Sequence, residues 1–207
     1  MFTGLIREIA KVQSFTGNEL TIQAQYQPRI GDSIAINGAC LTVVKAGNGN
    51  FSVELSPESQ SVLAIENYKN EVHIEPAMMM GDRFEGHVVQ GHVDCIGTIK
   101  SIKHNGNSSD FFVELPNEYM KFVISKGSIT VDGVSLTVND VLSEQNQFRL
   151  TIIPHTIDNT IFKTYKINSK VNIETDMFAR YVYSIFKPQS KKQNMTWDDI
   201  DKIMARY

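Results

Sequence analysis

The chain carries one eleven-residue pattern twice. SIAINGACLTV runs from Ser33 to Val43 and SITVDGVSLTV from Ser128 to Val138, identical at six of eleven positions. Three further blocks recur in the same order: Gly4 of MFTGLI opposite Gly91 of VVQGHV, FSVELSP from Phe51 opposite FRLTIIP from Phe148, and VHIE from Val72 opposite VNIE from Val171. The offset between partners grows only from 87 to 99 residues. Self-similarity of this order is a duplication. Nearly everything up to Asp176 therefore divides into two homologous halves of roughly 90 residues, each the size of a small domain.

Within each half, short β-branched segments alternate apolar and polar residues and are broken by turn-formers, as in GNGN from Gly47 and HNGNSSD from His104. Such segments predict strands. Strands this short, with no convincing helix between them, predict a closed antiparallel barrel, because closure removes exposed edges. The end of the chain differs. Phe178, Tyr181, Val182, Ile185 and Phe186 fall at helical spacing and stop before Pro188, which predicts an amphipathic helix. Its apolar stripe must be buried either on its own barrel or on a neighbouring subunit. Beyond the polar stretch QSKKQN, Thr196 is placed to cap a second short helix, with Asp198 and Asp199 in its first turn and Trp197, Ile200, Ile203 and Met204 as apolar contacts.

With 42% hydrophobic residues and a formal net charge of -3, the 207-residue chain reads as a soluble globular protein with no basic footprint for nucleic acid or anionic membrane. No apolar run approaches the ~20 residues of a membrane span. Cys40 and Cys95 are too few for a disulfide scaffold, and the N-terminus lacks a secretory layout, so the expected compartment is the cytoplasm. The histidines His73, His87, His92, His104 and His155 have no metal-ligand spacing. His87 and His92 are five apart and would face opposite sides of a continuous strand unless a turn at Gln90-Gly91 intervenes, and they lack a third ligand. His92 reads better as a general acid or base, and His73 and His104 read as surface residues.

Side chains alternate along a strand. In the repeated pattern Leu41 and Val43, like Leu136 and Val138, face the core, while Cys40 and Thr42, like Ser135 and Thr137, face the other way. The outward pairs are either ordinary solvent-facing residues or hydrogen-bonding groups for a flat polar heterocycle. In VNIETD, Val171 and Ile173 point inward and Asn172, Glu174 and Asp176 outward. Asp176 is either the N-cap of the terminal helix or a carboxylate that steadies a hydroxyl or imidazole. Two similar pockets in one chain suit two copies of one ligand, and holding both replaces several kcal/mol of entropic cost in a reaction between them.

The start MFTG, the blocks NGACLTV, GHVVQGHVD, KGSITVDGVSLTV, IIPHT and NIETD, and their order resemble the riboflavin synthase family over residues 1–187. The resemblance implies an all-β fold of two tandem Greek-key β-barrels plus a C-terminal α-helix, divided as 1–88, 89–187 and a tail 188–207. It implies a homotrimer formed through the helices, with the active site between the N-terminal barrel of one subunit and the C-terminal barrel of the next. The implied reaction is a dismutation in which two 6,7-dimethyl-8-ribityllumazine molecules exchange a four-carbon unit, giving riboflavin and 5-amino-6-(D-ribitylamino)uracil. No metal and no other cofactor is implied, and lumazine synthase is a possible associate.

By position, the resemblance assigns the first pocket to Gly4, Leu5 and Ile6, to Cys40, Leu41 and Thr42, and to the segment Glu54, Leu55, Ser56, Pro57, Glu58 and Ser59. The second takes Gly91, His92 and Val93, then Lys126, then Ser135, Leu136 and Thr137, and the segment Thr151, Ile152, Ile153, Pro154, His155 and Thr156. His155 aligns with Glu58 and is either a loop residue or a ligand contact. The implied catalytic set is Phe2, Cys40, His92, Ser135 and Asp176. One lumazine must lose a proton from its acidic C7 methyl group while the other becomes electrophilic. Ser135 with His92 or Asp176 would relay the proton, Cys40 would act as acid, base or nucleophile, and Phe2 would contact or stack on the ring. The difference between Cys40 and Ser135 makes the pockets unequal and leaves open which holds donor and which acceptor. Lumazine-binding antenna proteins of the same fold lose part of this polar set.

Overall fold

A computed structural model describes residues 1–187; the expected Thr196-capped helix lies outside them. The first half forms strands β1 (Glu8–Thr16), β2 (Glu19–Gln23), β3 (Ser33–Ile36), β4 (Ala39–Gly47), β5 (Asn50–Glu54) and β6 (Glu71–Pro76), with the short helix α1 (Pro57–Val62) between the last two. They close into a barrel in the order β1-β2-β5-β4-β3-β6. The three hairpin-linked strands β3, β4 and β5 return to β2, which is a Greek-key connection. The second half repeats the circuit with β7 (Cys95–Asn105), β8 (Ser108–Glu114), α2 (Asn117–Met120), β9 (Ser128–Val131), β10 (Val134–Thr137), β11 (Asp140–Leu142), β12 (Gln147–Ile152), α3 (Pro154–Asp158) and β13 (Lys170–Thr175). Its seven strands run β10-β9-β13-β7-β8-β12-β11. Strands β10 and β11 together cover the length of β4, so the ring is interrupted where β4 is continuous. Even the irregularities are copied: β1 bulges between Val12 and Ser14, and β7 between Ile99 and Ser101.

Each barrel has its own core, filled by the inward residues of alternating strands. Leu20, Ile22, Ile34, Phe51, Val53, Val72 and Ile74 are fully buried in the first, and Ile99, Val113, Ile129, Val131, Phe148, Leu150, Val171 and Ile173 in the second. The β3–β4 and β9–β10 hairpins turn on Asn37-Gly38 and Asp132-Gly133, with φ of 44° and 82° in one and 46° and 81° in the other. Positive φ at both central residues is the two-residue turn that matches strand twist. The turns pack backbone on backbone: a Cβ on Gly38 would lie 2.7 Å from the Gly133 nitrogen.

Around these turns the two halves share a buried polar knot. Asn37 Oδ1 accepts from the His73 backbone N–H, and Asp132 Oδ1 accepts from that of Asn172, at 2.8 and 2.7 Å. His73 Nδ1 donates to the Asp132 carbonyl, and Asn172 Nδ2 to the Asn37 carbonyl, both at 2.8 Å. Their remaining polar atoms accept from Ile161 N and Ala64 N, at 2.8 and 2.7 Å. His73, expected at the surface, is thus buried between the barrels, and Asn172 and Glu174 face away from their own core without reaching solvent. A second barrel covers the face that alternation alone assigns to water. His104 is exposed, as expected.

The chain ends, within the described residues, in α4 (Met177–Phe186), whose N-cap Asp176 accepts from the Phe178 N–H at 2.9 Å. Phe178, Tyr181, Val182, Ile185 and Phe186 are each 55% to 77% exposed. The alternative in which this stripe packs on its own barrel is therefore wrong. The helix is fastened by its other side, through Arg180 and an edge-to-face contact of Tyr183 with Phe122.

Burial lowers the His73 pKa from 6.5 to about 4, against the hydrogen bond to Asp132. Its contribution to stability is therefore full above pH 6.5 and is lost as pH falls toward 4, where the unfolded ring holds a proton and the folded one does not. Asp132 runs the other way, since burial pushes it to about 7, so the comparison must be with a variant that keeps Asp132. Urea unfolding of wild type and His73→Asn should show a stability gap that shrinks by roughly 3 kcal/mol between pH 7 and pH 4. A gap independent of pH would show that the ring is not held neutral.

Candidate active site

The outward residues of the repeated pattern meet backbone from the opposite half. Cys40 N donates to the Gly91 carbonyl and Ser135 N to the Gly4 carbonyl, both at 2.8 Å. The pockets are therefore crossed relative to expectation within this chain. Gly91, His92 and Val93 belong with Cys40, and Gly4, Leu5 and Ile6 with Ser135. The segment ahead of the first strand in each half leaves its own barrel and lies on the other, so Ile6, followed by Ile9 at the start of β1, packs on the second core and Val93 on the first.

Two buried carboxylates fix these crossings. Glu75 accepts from Thr3 N at 2.8 Å, Thr3 Oγ1 at 3.0 Å and Gly4 N at 3.1 Å. Glu174 accepts from the backbone N–H groups of Gln90, Gly91 and His92 at 2.8, 2.9 and 3.0 Å. Burial raises both pKa values, Glu174 to about 6, while the N–H donors pull them back. Sequence alternation placed Glu174 in solvent and gave Glu75 no role; their matched places in VHIE and VNIE were the available signal.

The first cleft, about 310 Å³, is lined by Cys40, Leu41, Glu58, Ser59, Gly91 and His92, among others. Val93, assigned to the second pocket, lines it as well; of the other residues assigned to the first, Leu55 is in the core, Ser56 caps α1 by accepting from Ser59 N, Pro57 opens that helix, and Glu54 and Thr42 are exposed. Cys95, the other free thiol, is buried and pushed up to about 12, chiefly by burial and then by the nearby acids. Cys40, by contrast, is half-buried and lines the first cleft.

On the second barrel Ser135, Leu5 and Ile6 are half-buried, Thr137 is exposed, and Leu136 leans on the core. Lys126 has φ +66° where its repeat partner Gly31 has φ +92°, and both N–H groups donate to the matching valine carbonyl, Val138 or Val43. A side chain held in this region costs about 1 kcal/mol or more. The Thr151 hydroxyl is engaged, donating to Asp110 at 2.6 Å and accepting from Arg149 at 2.9 Å. Ile152 is core, Ile153 is exposed, and Pro154, His155 and Thr156 form the start of α3, with His155 exposed.

Within the chain His92 lies beside Cys40 and not beside Ser135. The imidazole at Ser135 is His87, whose Nδ1 is 2.7 Å from Ser135 Oγ. Reading residues 87–93 as one strand hid it; the doubled Gly-His of GHVVQGHV was the signal. Asp176 acts electrostatically on His87 and lines an apolar cleft of about 510 Å³ with Phe122, Phe178 and Val182. Phe2 is fully buried with Ala35 and Val89, exchanges backbone hydrogen bonds with Val89, and presents no face to solvent. Among the described residues no three His, Cys, Asp or Glu side chains are grouped to hold a metal, and no helix is long and apolar enough to cross a membrane.

The twin barrels, each with its repeated strand pattern against backbone of the opposite half, are those of a tandem lumazine-binding protein: the lumazine binding domain family model matches residues 3–77 and 90–176. The chain is 38% identical to riboflavin synthase of Photobacterium phosphoreum, over 98% of either chain, and 39% identical to that of Bacillus amyloliquefaciens, over 95% of either. Its fold is also that of LumP in complex with riboflavin, at a TM-score of 0.75 and 17% identity over 85% of this chain and 100% of that one. The chain belongs to the riboflavin synthase family.

Gly91 has φ +78°, and a Cβ there would stand 2.6 Å from Cys40 Cβ, whereas Gly17, with φ +63°, has nothing within 4 Å. Gly17→Ala should cost about 1 kcal/mol from backbone strain alone, and Gly91→Ala should cost roughly 1–3 kcal/mol more. Equal losses in thermal unfolding would refute the close packing at the first cleft.

Proposed function

We propose that this chain is a riboflavin synthase, converting two molecules of 6,7-dimethyl-8-ribityllumazine into riboflavin and 5-amino-6-(D-ribitylamino)uracil. One observation carries the reading: the clefts share a backbone frame and differ in their polar heads. Gly91 and Gly4 present carbonyls to Cys40 and Ser135 alike, so two copies of one flat ligand bind in the same manner. Cys40 with His92 faces one copy, and Ser135 with His87 and Asp176 faces the other. The same compound is thereby treated differently at each cleft, as a dismutation requires. The four-carbon unit lost by one ring is gained by the other, so the exchange balances without an external oxidant or reductant.

Phe2 fills the space beside Cys40, and Thr3 and Gly4 lead from it directly to Ser135. Packed chain thus lies between the clefts of a single molecule, while reacting rings must come within about 3.5 Å. This favours a site completed by a second subunit. The uncovered stripe of α4 and the apolar cleft beside it supply the contact for a homotrimer. A cytoplasmic location fits two free cysteines, and association with lumazine synthase would shorten the transfer of substrate.

Purified protein given the lumazine alone should release riboflavin and the pyrimidine in equal amounts. Tight binding without conversion would make it a carrier and overturn the reading. Ser135→Ala should lower turnover by about a hundredfold while leaving the melting temperature nearly unchanged, since a half-exposed hydroxyl contributes little packing; intact turnover would remove Ser135 from the chemistry.

Val182 is 55% exposed, so Val182→Asp is compatible with the folded chain. It should produce inactive monomers on sizing. A fully active monomer would refute the shared site.

A further inference from the structure

His87 is held against Ser135 by construction. Its ring nitrogen Nδ1 lies 2.7 Å from Ser135 Oγ, and its backbone N–H donates to the Thr3 carbonyl at 3.1 Å. Gly86, just before it, has φ +82°; a Cβ there would strike the Thr3 carbonyl and stand 3.3 Å from Ser135 Oγ. Only glycine lets the segment come so close. The Ser135 N–H is already bound to Gly4, so the hydroxyl is the polar group that residue has left, and His87 is its partner.

We propose that His87 is a positioning residue that turns the Ser135 hydroxyl into a proton acceptor for the lumazine methyl group. The inference rests on the dismutation reading above. With Nδ1 unprotonated, Ser135 donates its hydrogen to the ring and turns oxygen lone pairs toward the cleft. A C–H bond of the methyl group breaks, its proton goes to Ser135 Oγ, and its electron pair delocalises into the lumazine ring. The proton that Ser135 held passes to His87 Nδ1. The reverse transfer restores both groups, and nothing is oxidised or reduced.

The surroundings suit this task. Burial lowers the pKa of His87, so the ring starts neutral, and the charge of Asp176 pulls the other way. Asp176, at the head of α4, therefore steadies the imidazolium when it forms. From β10 the ring meets the Ser135 hydroxyl, and from the N-terminal segment its backbone meets the Thr3 carbonyl. His92 lies in the other cleft, beside Cys40.

The test compares wild type, His87→Ala, His87→Asn, Ser135→Ala and the Ser135→Ala/His87→Ala double variant. Riboflavin formation gives kcat across pH, and lumazine fluorescence gives affinity. Asparagine keeps a hydrogen-bonding atom near the Nδ1 position but cannot take a proton. Both His87 variants should lose about a hundredfold in kcat, with affinity changed less than about twofold. Both should lose an acid limb lying below the ordinary histidine value of 6.5. The double variant should be no slower than Ser135→Ala, as expected of residues acting as a unit. Wild-type kcat in His87→Asn, a retained acid limb, or multiplicative losses in the double variant would overturn the inference. If His87→Ala fails to fold, His87→Asn decides by the same readouts. A wild type that converts no lumazine overturns the parent reading and this one with it; an active wild type beside an unimpaired His87→Asn overturns this one alone.

Discussion

Glu75 and Glu174 are the contacts on which both clefts depend. Each is a buried carboxylate that accepts three hydrogen bonds, nearly all from backbone N–H groups. A hydrogen bond to a charged group contributes about 1.5–3 kcal/mol, and an N–H left unpaired in a buried place costs a similar amount. These anchors offset part of the cost of burying the carboxylates, whose pKa values nonetheless stay raised. They decide where the chain leaves one barrel for the other, and so which carbonyl meets Cys40 and which meets Ser135. Each cleft consequently takes one wall from each half.

The duplication is kept where it builds and abandoned where it reacts. Glu75 and Glu174, Gly4 and Gly91, and Gly38 and Gly133 make matching contacts across a pseudo-twofold arrangement. In the knot between the barrels the match is one of roles: His73 and Asn172 differ chemically, yet each donates to the opposite turn and accepts one N–H. Asn37 and Asp132 diverge further. Tyr165 donates to the Asp132 carboxylate while Tyr68 donates to the Ile36 carbonyl. Asn37 Nδ2 is the buried side-chain atom without a partner among the described residues. Two further departures are Cys40 for Ser135, on β4 and β10, and Gly31 for Lys126, just ahead of β3 and β9.

The fold was legible because strand periodicity, turn dipeptides and the internal repeat are local signals. Asn37-Gly38 and Asp132-Gly133 announce their hairpins, and Asp176 followed by a 3.6-residue stripe announces α4. The pairing of residues within the clefts was only partly legible. Cys40 and Ser135 are placed by alternation, but the partner of each comes from the other half, and no periodicity reports which barrel a crossing segment lies on. The same blindness put His73 and Glu174 in solvent: alternation says that they leave their own core and is silent about the second barrel that covers them. His87 was passed over because its neighbourhood was read as a continuous strand. Positive φ at Gly86 and Gly91 breaks that strand and sends the two histidines to different clefts.

Helix α4 reverses the usual arrangement of a surface helix, which turns its apolar stripe inward. Here the side toward the protein carries Met177, Ala179, Arg180 and Tyr183. Arg180 pairs with Asp94 at 2.5 Å and hydrogen-bonds Gln90 Oε1 at 2.9 Å, and Asp94 also accepts from Thr175 N and Oγ1. A helix of ten residues is marginal by itself, so its hold comes from the Asp176 cap, the Arg180 contacts and the packing of Tyr183 on Phe122. The outward stripe adds nothing until another surface covers it. Gln90 and Asp94 bracket Gly91 and His92, the segment that Glu174 pins against Cys40. Whatever buries the stripe therefore also steadies Arg180, and through it the segment that completes the first cleft. One helix thus links an exposed apolar stripe to the segment beside Cys40.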